Sequence, residues 1–159
     1  MVAIAITMIF GTMLLVAANS FSSKERVSQV STELSSYLNS ARNLAVTSQS
    51  PTGFAMEYVA VTLSSAGILK AYPVNSVTGI GPSYFSRSLS SSQLTVTQID
   101  FPTLLFAAGS GKLVAKNADP SYKTYPLPST TEVGISIASL ESGLTKGVLI
   151  NAFGTINVR

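Results

Sequence analysis

The side chains that could carry a reaction are few in this sequence, and the missing types narrow the chemistry. Histidine and cysteine are both absent. That removes the usual general base at neutral pH, the thiolate nucleophile and the commonest metal ligands. The carboxylates are Glu25, Glu33, Glu57, Asp100, Asp119, Glu132 and Glu141. None are spaced as a metal-binding loop, and ordinary surface solvation is their expected role. The string Gly109-Ser110-Gly111-Lys112 invites comparison with a phosphate-binding loop. Such a loop needs a glycine five positions before the glycine of its Gly-Lys pair and a Ser or Thr after the lysine. Phe106 and Leu113 stand there instead, so a hairpin turn is the better reading. Serine is abundant, but no Gly-x-Ser-x-Gly turn occurs, and a serine triad cannot form without histidine. The expectation is a protein with no catalytic, cofactor-binding or metal-binding residues, and not an enzyme.

The elements that would position any site are more informative. A chain of 159 residues suits one compact domain plus an appendage. Apolar residues make up 46% and charged residues only 11%, against roughly 25% charged in a typical soluble domain. The composition changes abruptly near residue 20. Residues 1–21 carry no charge, and residues 1–18 are apolar apart from Thr7, Gly11 and Thr12. As a helix, residues 1–18 would span roughly 27 Å, just short of a hydrocarbon core of about 30 Å, and extension to Phe21 closes the gap. Val2, Ile4, Ile6, Ile9, Phe10, Met13, Leu14, Leu15 and Val16 are the residues expected in the core of the membrane or of a helix assembly. A cleaved signal peptide is the alternative, because Val16-Ala17-Ala18 offers a cleavage point, but no Lys or Arg precedes the apolar run. A buried core helix is disfavoured, since so small a domain has little to cover every face with.

Residues 22–50 then read as an amphipathic helix. Val27, Val30, Leu34, Leu38, Ala41 and Ala45 recur at spacings of three and four, widened by Tyr37 and Leu44. Ser28, Gln29, Ser31, Glu33, Arg42 and Asn43 fall on the expected polar side. Ser22 and Glu25 have capping-box spacing, yet a nearly continuous helix is preferred, with a weak point expected around Asn19-Ser20. Pro51 ends it. Residues 51–159 have the vocabulary of antiparallel strands. Alternation marks strands from Phe54 to Thr62, from Gly67 to a close at Pro73 and Val74, and from Gln93 to Phe101, where Ile99 breaks the phase. Leu104 to Ala107 and Lys112 to Ala115 make a hairpin around Gly109-Ser110-Gly111. Glu132 to Ala138, Gly147 to Ala152 and Gly154 to Val158 are three further strands. Residues 75–92 and 117–128 read as loops. The expected fold class is α+β: one long helix, apolar in front and amphipathic behind, whose rear stripe packs on an antiparallel β-sheet domain.

These features resemble the type IV pilins and pseudopilins. The apolar start MVAIAI leads into Leu38 to Gln49 (LNSARNLAVTSQ), which looks like the helix of the H-type minor pseudopilins and the FimT-like minor pilins. More weakly, Ile99 to Gly109 (IDFPTLLFAAG) looks like that group's strand-to-glycine turn, and Gly147 to Val158 (GVLINAFGTINV) like its closing hairpin. The resemblance implies a structural subunit of a type IV pilus or type II secretion pseudopilus. Its partners would be other pilin or pseudopilin subunits, inner-membrane lipid before assembly, and the assembly machinery. Residues 1–21 would then serve as transmembrane and filament-core helix, with the C-terminal domain outside the cytoplasm. Some FimT-like proteins bind DNA for uptake, and Lys146 and Arg159 are the hint of that here. The basic residues otherwise stand singly, so two solvated surface charges are the preferred reading.

The family's leader signature is a basic stretch ending in glycine, followed by an aromatic residue and a glutamate at the fifth mature position. Met1-Val2-Ala3-Ile4 looks like the stretch just after that glutamate. The DNA upstream of Met1 is therefore expected to encode, in frame, Gly-aromatic-x-x-x-Glu; a stop codon immediately upstream would sink this expectation.

Overall fold

The computed structural model describes residues 2–50, 53–64, 66–89, 94–99, 103–116, 127–140 and 142–159; residues 2–17, 19, 20, 95–99, 115 and 116 are described in backbone only. Among the described residues one helix is followed by ten strands in two antiparallel sheets. Helix α1 runs Val2–Thr47, straight through the Ser22/Glu25 pair, so that spacing starts no separate helix. It stops where Ser48 takes a left-handed conformation (φ 50°) and donates its N–H to Ala45 O at 3.1 Å.

The first sheet contains β1 (Tyr58–Leu63), β2 (Ile68–Asn75), β3 (Gly79–Ile80), β4 (Phe85–Ser88), β6 (Thr103–Ala107) and β7 (Leu113–Lys116), in the order β3-β2-β1-β6-β7 with β4 also on β2. The second sheet contains β5 (Leu94–Ile99), β8 (Glu132–Ser139), β9 (Thr145–Asn151) and β10 (Ile156–Val158), in the order β10-β9-β8-β5. The fold is thus α+β as expected, with the strands divided between two sheets. Two strands lie within the stretch read as a loop. β3 and β4 are short edge strands, and Phe85-Ser86-Arg87-Ser88 carries the exposed polar residues that edges tolerate. Asn75 makes the intervening turn by accepting on Oδ1 from the N–H groups of Val77 (2.8 Å) and Thr78 (3.0 Å).

Pro73 does not close β2. It pairs with Val59 on one side, and on the other it falls between the stretches that β4 and β3 cover, where a missing N–H breaks no ladder. The broken alternation at Ile99 also has a cause. A bulge between Val96 and Gln98 adds one residue to β5, so that Val96 lies opposite Ile137 and Ile99 opposite Ile135.

One core joins these layers. Leu34, Leu38, Ala41 and Ala45 of α1 pack with Val59, Val61, Leu63, Leu69, Ala71, Leu104 and Phe106 of the first sheet, and with Val133, Ile135, Ile137, Val148 and Ile150 of the second. On β1 the alternation is visible directly: Val59, Val61 and Leu63 face the helix, while Ala60 turns to a small outer cluster with Val74 and Leu105. Tyr72 packs on that cluster, where burial raises its phenol above the usual range and a hydrogen bond from Thr62 opposes the rise.

Leu38 is fully buried, so Leu38→Ala should cost about 2–5 kcal/mol of stability. At Val77, which is 87% exposed, an alanine should change stability by no more than about 0.5 kcal/mol. Urea denaturation of the detergent-solubilised chain measures both; equal midpoints would refute the assignment of the core to the helix stripe.

Candidate functional site

Two of the carboxylates take part in local structure. Glu33 accepts from the Tyr37 hydroxyl at 3.0 Å, and Glu57 accepts from the Ser76 N–H at 3.1 Å. Asp100, Asp119 and Glu141 lie outside the described residues. Among the described residues no cluster of three or more His, Cys, Asp or Glu could hold a metal ion. Gly109-Ser110-Gly111-Lys112 is a turn between β6 and β7, with the Gly111 N–H on Ala107 O at 2.9 Å.

What the structure does build is a seat for the rear half of α1. Val27, Leu34, Leu38, Ala41 and Ala45 are buried, and Val30 is half-buried against the same core. Ser31 is fully buried too, although its polarity put it on the outer face. Its hydroxyl donates to Val27 O at 2.7 Å, so the buried group is satisfied within the helix and offers the sheets a small side chain. The buried stripe is therefore Val27, Ser31, Leu34, Leu38, Ala41, Ala45, with Ser23 extending it toward the N-terminus.

The C-terminal end of this stripe is a junction of three segments. The Gly109 N–H donates to Ala45 O at 2.8 Å, tying the β6–β7 turn to the helix end. The Leu113 N–H donates to Ala152 O at 3.1 Å and so links the two sheets. Arg42 lies against the turn of each hairpin. A Cβ on Gly154 would sit 3.0 Å from Arg42 Nε and collide with the Gly111 carbonyl oxygen; one on Gly111 would collide with the Val46 side chain. Both glycines have positive φ, 63° and 78° for Gly111 and Gly154, a region that L side chains enter at a cost. Arg42 Nε is buried with no hydrogen-bond partner among the described residues. Sequence periodicity put Arg42 on the polar side; what could have flagged it is the pair of glycine turns, which only the fold brings together.

The segments meeting here are LNSARNLAVTSQ, the end of IDFPTLLFAAG, and GVLINAFGTINV. Among solved structures, the chain is similar to the minor pseudopilin EpsH of the type 2 secretion system of Vibrio cholerae. The TM-score is 0.54 at 12% identity, over 84% of this chain and 96% of that one. The fold is pilin-like. At that identity the likeness is one of architecture, and no protein-family model and no curated protein matches the sequence.

Within this fold the two basic residues near the C-terminus part company. Lys146 Nζ donates to Ser28 Oγ of α1 at 3.0 Å, and Lys146 shares a strand face with buried Val148 and Ile150. Arg159 is exposed, and its backbone exchanges hydrogen bonds with Gly147, at 2.8 and 3.1 Å. Residues directly opposite in an antiparallel pair share a face, so Arg159 lies on the face that Gly147 and Leu149 occupy, away from Lys146. The two do not form a common basic patch. The residues from Val2 to Val16 expected in a membrane or helix-assembly core have no described side chains. Among the residues whose side chains are described, no helix is long and apolar enough to cross a membrane.

Gly154→Ala should destabilise by more than about 1 kcal/mol, since it adds a collision to an incompatible backbone. Gly53, also at positive φ but facing open space, should tolerate alanine better. Thermal unfolding of the two variants makes the comparison, and a smaller loss at Gly154 would contradict the packed junction.

Proposed function

We propose that this chain is a structural subunit of a type IV pilus or a type II secretion pseudopilus, and not an enzyme. The observation that carries the reading is the likeness in fold to a minor pseudopilin; the charge-free residues 1–21 supply the apolar segment that the role needs. Before assembly, residues 1–21 hold the subunit in the inner membrane, with the β domain outside the cytoplasm. During assembly an ATPase-driven machine extracts subunits into a cell-surface or periplasmic filament, where their apolar helices pack together. Burial against neighbouring subunits then replaces burial in lipid, so the segment never faces water. The partners are copies of this chain or related subunits, and no cofactor takes part.

Two other readings are weaker. A DNA-binding minor pilin needs clustered basic residues, whereas Lys146 is bonded to Ser28 and Arg159 lies on the opposite sheet face. A secreted β domain behind a cleaved signal peptide would lose the segment ending near Ala18, which the intact mass of the mature protein would reveal.

Two measurements test the main reading. The chain should remain in the carbonate-washed membrane pellet before assembly and appear in sheared filaments or an isolated pseudopilus. Ile9→Lys, worth about 2.5–3.5 kcal/mol against insertion, should deplete both pools. Strict retention as a membrane monomer while the host's filaments form would overturn the proposal.

A further inference from the structure

The lower edge of the β domain has a geometry that the anchor-and-filament role does not use. β9 runs in the same sense as α1. Near its start Lys146 reaches Ser28, and beyond its end Gly154 packs on Arg42. Strand residues rise about 3.3 Å each and helix residues about 1.5 Å. The two steps back from Lys146 to Leu144 therefore match four or five helical residues, which puts the β8–β9 turn at the level of Ser23. Burial agrees: Ser23 is 5% exposed, Leu94 and Ser139 are buried at the same end of the second sheet, and Phe21, just below, is 70% exposed. Among the described residues the β domain thus reaches down to the level of Ser23, where the β8–β9 turn presents Leu140 (61% exposed) and Leu144 (37% exposed).

That level can be placed against a bilayer. The apolar run ends at Ala18, and Ala18 to Ser23 spans about 7.5 Å of helix. Headgroups occupy roughly 5–8 Å on each side of a hydrocarbon core of about 30 Å. With residues 1–18 in the hydrocarbon, the level of Ser23 falls at about the outer edge of the headgroup layer, within reach of exposed side chains on the turn. Its chemistry fits that depth. Leu140 and Leu144 stand at the two ends of the turn and are exposed, apolar side chains that the interface accommodates. Lys24 and Arg26 are exposed at the same level, where each basic side chain gains about 1 kcal/mol near anionic headgroups.

We propose that the β8–β9 turn is a second membrane contact: Leu140 and Leu144 enter the headgroup layer of an anionic bilayer beside Phe21, and so fix the tilt of the β domain before assembly. The inference rests on the anchor reading above. Lipid is the one occupant proposed, because the turn is continuous with the segment held in lipid and lies within headgroup reach of it.

The absence of tryptophan from the chain makes single tryptophans clean probes. Full-length F21W, L140W and V77W variants would be reconstituted in phosphatidylcholine–phosphatidylglycerol vesicles containing shallow-brominated lipid. Phe21, Leu140 and Val77 are all exposed, so the fold should survive each change. Loss of emission is expected for F21W and L140W, with V77W unaffected. Quenching of F21W without L140W would overturn the turn contact and leave the anchor intact. Failure to quench F21W would overturn the anchor and this inference together. Equal quenching of L140W and V77W would mean a domain lying flat on the surface, which also overturns the proposal. An L144W variant repeats the test from the other end of the turn.

Discussion

Everything in this molecule turns on burying one stripe of one helix. Leu34, Leu38, Ala41 and Ala45 contact a core to which both sheets contribute, and Val27 is buried on the same stripe. Full burial of a Val or Leu side chain is worth about 1.5–3 kcal/mol. Near the helix end the sheets touch through a backbone hydrogen bond between Leu113 and Ala152, which alone contributes only about 1 kcal/mol. The helix is what makes two sheets into one domain. It approaches closely because the stripe is narrow where the sheets converge: Ser31, Ala41 and Ala45 are small, and the turns that receive Arg42 contribute Gly111 and Gly154, where a methyl group would collide.

The chemistry of α1 changes along its length. Up to Ala18 apolar residues occupy every side, which suits lipid or a bundle of like helices. From Ser23 onward the apolar surface narrows to the stripe, and exposed Lys24, Glu25 and Arg26 mark the change. A continuous α1 means that whatever holds its front half also sets the position of the β domain. No soluble linker comes between them, so contacts made by the domain's lower edge and by the helix are not independent.

The helix was legible in the sequence and the division into sheets was not. Period-3.6 spacing of Val27, Leu34, Leu38 and Ala41 is a long-range signal repeated over several turns, and each repeat reinforces the last. Strand signals are short, and partner choice leaves no local trace. Nothing near β5 says that it pairs with β8, and β3 and β4 hide in a Ser- and Gly-rich stretch because edge strands need little apolar content. Ile99 looked like a broken pattern, since a bulge adds a residue that periodicity cannot anticipate. Ser31 was misplaced for a different reason. A residue type predicts burial only on average, and a serine that bonds its own helix backbone can sit where an alanine would.

Lys146 and Arg159 show the limit of reading charge from a sequence. Together they form a plausible basic end, and as counted charges they are equivalent. The β9–β10 ladder separates them, because Arg159 stands opposite Gly147, and Lys146 lies one residue from Gly147 on the other face. One cation ends up bonded to a helix serine inside the domain boundary and the other in solvent. A nucleic-acid groove needs several cations on one surface, since affinity grows with each phosphate neutralised. Strand parity alone denies these two residues that arrangement. The same parity gives Lys146 its role, because only a residue on the inner face of β9 can reach Ser28 and tie the start of the second sheet to the helix.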